Sequence, residues 1–275
     1  MTSPRDVIRK GSKSFSLATF FLPAVAKEEV HILYAWLRHC DDVIDSPQSK
    51  LADLEQLKVQ LALRDPNGPF QNLQKIITEK DLPLVYFNEF FEGLRMDLEN
   101  AGYKTLSDLE LYCYRVAGVV GLILCPMIGV THPKAYQHAS ALGIGMQLTN
   151  ICRDIIEDAR NNRIYLPRDI LQQKLLAENL LQSPEVCTSA VLQLLARAEI
   201  LYSQGNQGLK YLPFRVAIAV GSASFIYRAI GQKVLKHLPE TLKYRVVIGK
   251  FEKTRCVLQG FCYAVASRFQ RLEPK

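Results

Sequence analysis

Tryptophan occurs once and methionine four times in 275 residues, and the five histidines are scattered. The seven cysteines are odd in number, dispersed, and never in Cys-x-x-Cys spacing. That pattern speaks against a disulfide framework and reads as reduced thiols. His39-Cys40 beside Asp41 has no matching Cys or His pair elsewhere, so packing rather than zinc accounts for it. Gly143-x-Gly145 lacks a third glycine at dinucleotide spacing and follows no strand pattern, which excludes a Rossmann fingerprint. The most apolar run, Val116 to Val130, is 15 residues long, contains Pro126, and is followed by His132 and Lys134. A spanning helix needs about 20 apolar residues, so this run reads as a buried core helix. Met1 to Lys10 carries no apolar leader core, and Ser267 to Lys275 is polar and offers no anchor. The expectation is a cytoplasmic protein.

The hydrophobic share of 48% against 22% charged is that of a globular chain, and 275 residues are enough for one large core or two small ones. A net charge of +7 and a pI near 9.0 suit a polyanionic ligand or an anionic membrane surface. Nucleic acid is the competing partner. The Lys and Arg residues are scattered, however, and no nucleic-acid-binding motif spacing occurs, so none is expected.

Apolar residues recur at three and four spacing over 28–45, 51–63, 73–80, 84–99, 106–129, 134–158, 184–208, 215–237 and 245–270. Breakers such as Ser46-Pro47, Asp65-Pro66-Asn67-Gly68-Pro69 and Thr131-His132-Pro133 fall between these stretches. No strand alternation, linker or low-complexity segment stands out. The prediction is one all-α domain over residues 1–275.

Two of these helices carry polar stripes that an apolar setting makes costly. On the first, Tyr34, Arg38, Asp41 and Asp45 take offsets 0, 4, 7 and 11; on the second, Gln147, Asn150, Asp154 and Asp158 take 0, 3, 7 and 11. Each set lies on one helical face. Buried carboxylates need cationic partners, and two carboxylates one turn apart offer hard oxygen ligands of the kind Mg²⁺ prefers. Mg²⁺ is usually completed by water and substrate phosphate oxygens, so two facing Asp-x-x-x-Asp clamps predict a metal cluster gripping a diphosphate. Solvated helix ends would explain either clamp singly but not both on apolar helices. Gly118, Gly121, Gly143 and Gly145 lie within helical patterns at a cost of about 1 kcal/mol each relative to Ala. Close helix packing and room for a ligand tail explain them equally well.

With these stretches, the sequence resembles the squalene/phytoene synthase family. The likeness rests on Gly11-Ser12-Lys13-Ser14-Phe15-Ser16, Leu33 to Trp36, Arg38 to Asp45, Tyr112 to Gly118, Gln147 to Asp158 and Arg163-Ile164-Tyr165-Leu166-Pro167. It extends from about residue 7 to residue 255, in family order. Leu37 stands where many relatives carry Cys, and Ile156 where Gly is common.

The resemblance implies an isoprenoid-synthase helical bundle around a central cavity and a head-to-head prenyl transferase. Two geranylgeranyl diphosphates would join through a cyclopropylcarbinyl diphosphate to a C40 hydrocarbon; farnesyl diphosphate is the alternative substrate. Two or three Mg²⁺ ions, with Mn²⁺ the other candidate, would be held by Asp41, Asp45, Asn150, Asp154 and Asp158, with Tyr34 and Arg38 joining the four aspartates in catalysis. Substrate would meet Ser12, Lys13, Ser14, Phe15, Tyr34, Arg38, Tyr112, Val116, Ala117, Gly121, Gln147, Asn150, Arg153, Tyr227, Arg245 and Lys253. Phe15, Tyr34, Tyr112, Tyr114 and Tyr227 are otherwise ordinary core aromatics; in the family, several would face a carbocation through cation–π attraction. Glu157 would support Asp158. No NADPH is expected, since no nucleotide motif occurs. Loss of clamp carboxylates would mark a non-catalytic relative, and all four are present. Peripheral membrane contact follows from lipid substrates and the basic charge.

Overall fold

The computed structural model describes residues 4–11, 13–62, 68, 70–171 and 176–269, the side chains of residues 9–15 excepted. Among these residues there is no strand. The helices are α1 (Pro4–Gly11), α2 (Lys13–Ala18), α3 (Ala24–Ile44), α4 (Leu51–Ala62), α5 (Gln71–Glu79), α6 (Leu84–Glu99), α7 (Leu106–Cys113), α8 (Val119–Met127), α9 (Lys134–Arg160), α10 (Arg168–Leu171), α11 (Ala177–Gln182), α12 (Thr188–Gln207), α13 (Phe214–Lys236) and α14 (Lys250–Ala266). The predicted helices are present. The periodicity missed only the short α1, α2, α10 and α11, whose few turns show too little of a stripe.

One end point differs in a way that matters. The pattern over 245–270 reads as one helix, yet α14 begins at Lys250. Glu252 accepts a hydrogen bond from the Gly249 backbone N–H at 2.6 Å, which starts the helix there and leaves Tyr244–Gly249 as an irregular strap. Arg245 therefore sits on a strap rather than a helix.

Between α7 and α8 the backbone passes through a π turn, Tyr114–Gly118, without breaking the rod. The continuous helix Leu106–Met127 has 22 residues and a mean hydropathy of 1.5 in its most apolar window; α13, with 23 residues, reaches 1.2. Both are long and apolar enough, by length and composition alone, to cross a membrane, and the first is the core helix expected over 106–129. In the fold they are walls. Val116, Ala117, Val120, Gly121 and Leu124 of the first, and Val220, Ala223 and Tyr227 of α13, face an internal cavity.

That cavity, ≈ 910 Å³, lies among α3, the α7–α8 rod, α9 and α13. Beside it, α3 packs Trp36 against Phe87, Phe90 and Phe91 of α6. α9 is buried on two sides. A side chain at Gly143 would place its Cβ 2.3 Å from the Ala117 carbonyl oxygen in the π turn, and one at Gly145 would meet Leu201 of α12 at 3.2 Å. A Cβ at Gly121 would likewise lie 2.5 Å from the Ala139 carbonyl oxygen. Close helix packing is thus the reason for these glycines, although Gly121 and Gly143 also border the cavity.

One end of the cavity is formed by Thr19, Leu22, Ala135, Leu209 and Leu212, at the N-terminal ends of α3, α9 and α13. Asp45 and Asp158, at the C-terminal ends of α3 and α9, form the other. With 21 residues in α3, the separation is about 30 Å.

Candidate active site

Both clamps reach the cavity, lined by Asp41 and Asp45 from α3 and by Asp154 and Asp158 from α9. The C-terminal ends of the two helices add their negative dipole ends to this charge. Burial, then the neighbouring Asp45, pushes the Asp41 carboxyl up to about 7; burial, then Asp154, pushes Asp158 up to about 8. The site is short of positive charge.

Arginines supply part of it. Arg153 grips Asp154 through Nε at 2.7 Å and Nη2 at 2.5 Å. Arg245 reaches from the strap to Asp154 at 3.2 Å and to Glu157 at 2.9 Å, so Glu157 acts by holding Arg245. Arg163, beyond the end of α9, donates to Asp45 at 2.5 Å and so ties the second clamp's segment to the first clamp. Arg38 lines the cavity but pairs with Asp42, 2.6 Å away, rather than with Asp41. Both side chains of that pair are about half exposed, so it is weak and easily exchanged for a phosphate.

A fifth aspartate at the cavity was not among the expected site residues. Asp97 accepts hydrogen bonds from Tyr112 Oη at 3.0 Å and Tyr165 Oη at 2.8 Å, and burial raises it to about 6 against those two donors. Tyr103, Tyr112 and Tyr165 stack around it with centroids 5.2–6.1 Å apart. Asn100, in left-handed conformation at the end of α6, donates to the Asn162 carbonyl at 2.9 Å, and the Arg168 guanidinium donates to Ala101 at 2.9 Å. These bonds hold the Asp97 end of α6 against the segment carrying Arg163 and Tyr165. The sequence did hold a signal, since Phe90, Phe91, Leu94 and Asp97 follow a core stripe at offsets 0, 1, 4 and 7. A carboxylate in such a stripe is a buried one.

Tyr34, Tyr112, Val116, Ala117, Gln147, Asn150, Tyr227 and Lys253 all line the cavity. Tyr34 and Tyr227 are close enough to raise the Tyr34 hydroxyl further above its ordinary value, after burial. Tyr114, another of the five aromatics, packs instead with the Trp36 cluster, while Val116 and Ala117 of the same π turn line the cavity. Ser12 lies outside the described residues, as do the side chains of Lys13, Ser14 and Phe15.

The donor set suits a hard cation. It consists of carboxylate and amide oxygens, and the buried Asn150 Oδ1 has no hydrogen-bond partner while its Nδ2 donates to Gln147. No preformed group of three His, Cys, Asp or Glu able to hold an ion exists among the described residues. The arrangement is two half-sites needing an anionic ligand's oxygens to complete them, as Mg²⁺ does with phosphates.

A family model for squalene/phytoene synthase matches residues 8–252. The chain belongs to the squalene/phytoene synthase family. A 15-cis-phytoene synthase of Paracoccus sp. is 37% identical over 265 residues, covering 90% of this synthase and 86% of the relative. That of Enterobacter agglomerans is 35% identical, covering 96% of both chains. A dehydrosqualene synthase solved with a ligand superposes with a TM-score of 0.77 at 29% identity, over 96% of this chain and 95% of that one. The synthase is a prenyltransferase of isoprenoid and carotenoid biosynthesis, in a family that uses divalent metal to bind prenyl diphosphates.

Proposed function

We infer that this synthase condenses two geranylgeranyl diphosphates head to head, through a cyclopropylcarbinyl diphosphate, to phytoene, with Mg²⁺ as its metal. The observation that carries the reading is one apolar cavity running from the paired clamps to the Thr19–Leu22 end. In the first half-reaction one substrate loses diphosphate, and its allylic cation is attacked by the 2,3 double bond of the other. A proton is lost as the cyclopropane closes. The second diphosphate then leaves, the carbon skeleton rearranges, and loss of a further proton gives the C40 hydrocarbon.

Asp41, Asp45, Asn150, Asp154 and Asp158 would hold the metal, which when bound supplies Lewis-acid neutralisation of the leaving diphosphate. Arg153, Arg163 and Arg245 are positioned to exchange carboxylate for diphosphate oxygens, a charge-assisted contact. Tyr34 and Tyr227 present aromatic surface where positive charge develops. Asp97 fixes the Tyr112 ring by holding its hydroxyl. The apolar walls exclude water, which would otherwise quench the cation.

The enzyme is read as cytoplasmic, in peripheral contact with the inner membrane, because substrate tails and product are lipids. The test is incubation with C15 and C20 diphosphates plus Mg²⁺, with and without NADPH, followed by product identification. Phytoene from the C20 substrate without NADPH is expected. Turnover of the C15 substrate alone would replace this reading with that of a farnesyl-using sister enzyme.

A further inference from the structure

At the end of the cavity away from the clamps, the outer surface is aromatic and basic. Phe20 is 68% exposed, Val25 69% and Phe269 86%, on three separate segments. Ring and hydrogen-bond contacts run across these segments, with Val25 on the helix that carries Lys27 and Phe269 next to Arg268. Phe20 packs edge-on to Phe21, whose carbonyl accepts from Arg215 Nε at 3.2 Å. The adjacent Phe214 meets Phe261 at 6.2 Å between centroids and lies under the Arg268 guanidinium at 5.6 Å. Lys27 stands over the Phe20 ring at 5.5 Å. The described carboxylates of these segments are Glu28, Glu29 and, at the far end of α14, Glu252; Glu29 is paired with Lys80 and Glu252 with Lys233. The patch is therefore apolar at its centre and positively charged around it.

We propose that this face is where the enzyme docks on an anionic bilayer, placing the tail end of its cavity against the lipid. Exposed rings flanked by Lys and Arg fit the interfacial zone, where aromatic side chains enter the acyl boundary and cations meet lipid phosphates. The same segments turn Thr19, Leu22 and Leu212 into the cavity, so one layer of side chains separates a bound prenyl chain from the surface. The docking rests on the long-chain prenyl reading only for this functional sense; the patch itself does not depend on it. A second copy of the chain is the other occupant such a face could have.

The experiment is co-sedimentation of the full chain with phosphatidylglycerol-containing and pure phosphatidylcholine vesicles at low and high salt. The variants are Phe20→Ser/Phe269→Ser, Lys27→Gln/Arg215→Gln, and Phe251→Ser as a control at the clamp end, where Phe251 is 94% exposed. The expected result is about tenfold weaker anionic-vesicle binding for both double variants, wild-type binding for Phe251→Ser, and weaker wild-type binding at high salt. Sedimentation velocity without lipid should give the same molecular mass for all variants. Wild-type binding by the double variants, loss confined to Phe251→Ser, or a change of oligomeric state in the double variants would each overturn the proposal. Vesicle binding is read without turnover, so a wrong substrate assignment cannot mimic its failure.

Discussion

Asp158→Asn should stabilise the metal-free enzyme while destroying its activity, and Asp154→Asn should do only the second. The Asp158 carboxyl is raised to about 8, chiefly by burial and then by Asp154. An unfolded Asp releases its proton near 3.9. Between those values the folded state holds more protons than the unfolded one, so stability is full below about 3.9 and falls as pH rises through about 8. Asp41, raised to about 7, and Asp97, raised to about 6, act in the same direction. Wild-type melting temperature in chelator should thus decline from pH 6 to pH 8.5.

At 1.36 kcal/mol per pKa unit the unscreened penalty on Asp158 is about 6 kcal/mol; water at the open mouth leaves about 2 kcal/mol. A neutral Asn avoids it, raising the melting temperature at pH 8 by about 4–8 °C. Asp154 differs because Arg153, only 12% exposed, depends on it for both of its short hydrogen bonds. Removing that charge leaves a buried guanidinium poorly matched, a loss of about 1–2 kcal/mol for a partly solvated pair. Loss of both carboxylates' ligand function should lower turnover about 10²–10³-fold or more in each variant.

Thermal unfolding in chelator and in Mg²⁺, at pH 6 and pH 8.5, makes the comparison. Wild type should gain more from Mg²⁺ than Asp158→Asn does. A lower melting temperature for Asp158→Asn in chelator at pH 8, or shifts of the same sign in the two variants, would refute the charge-deficit account of the clamps.

Tyr34→Ala should bind substrate normally but slow the carbocation steps about thirtyfold, the equivalent of a lost ring–cation attraction of about 2 kcal/mol. Product analysis with labelled substrate should show prenyl alcohols from admitted water, and a wild-type product ratio at wild-type rate would reduce Tyr34 to a packing residue. Gly143→Ala gains about 1 kcal/mol in helix propensity, but its Cβ would lie 2.3 Å from the Ala117 carbonyl, so a net loss of about 1–3 kcal/mol is expected by denaturant unfolding. Asp97→Leu should release the Tyr112 and Tyr165 hydroxyls into an apolar setting, costing about 1–3 kcal/mol for each one left unpaired, readable as a lower urea midpoint.

Local spacing already determined much of this enzyme. The 3.6-residue period marks which side chains share a face, so the long helices and both aspartate stripes were legible without any neighbour in view. Periodicity also placed Arg245 on a helix, where the Gly249–Glu252 cap prevails and makes a strap. Which face meets which was decided only by packing. Arg163 and Asp45 are 118 residues apart, and Asp97 and Tyr165 are 68 apart. Nothing in the spacing of either partner encodes those contacts. The glycines could have served packing or ligand until the Ala117 and Ala139 carbonyls came to lie within van der Waals distance of them. The charge deficit at the clamps is tertiary as well, since a carboxylate's pKa responds to burial and to charges on other helices, and both exist only once the helices have assembled.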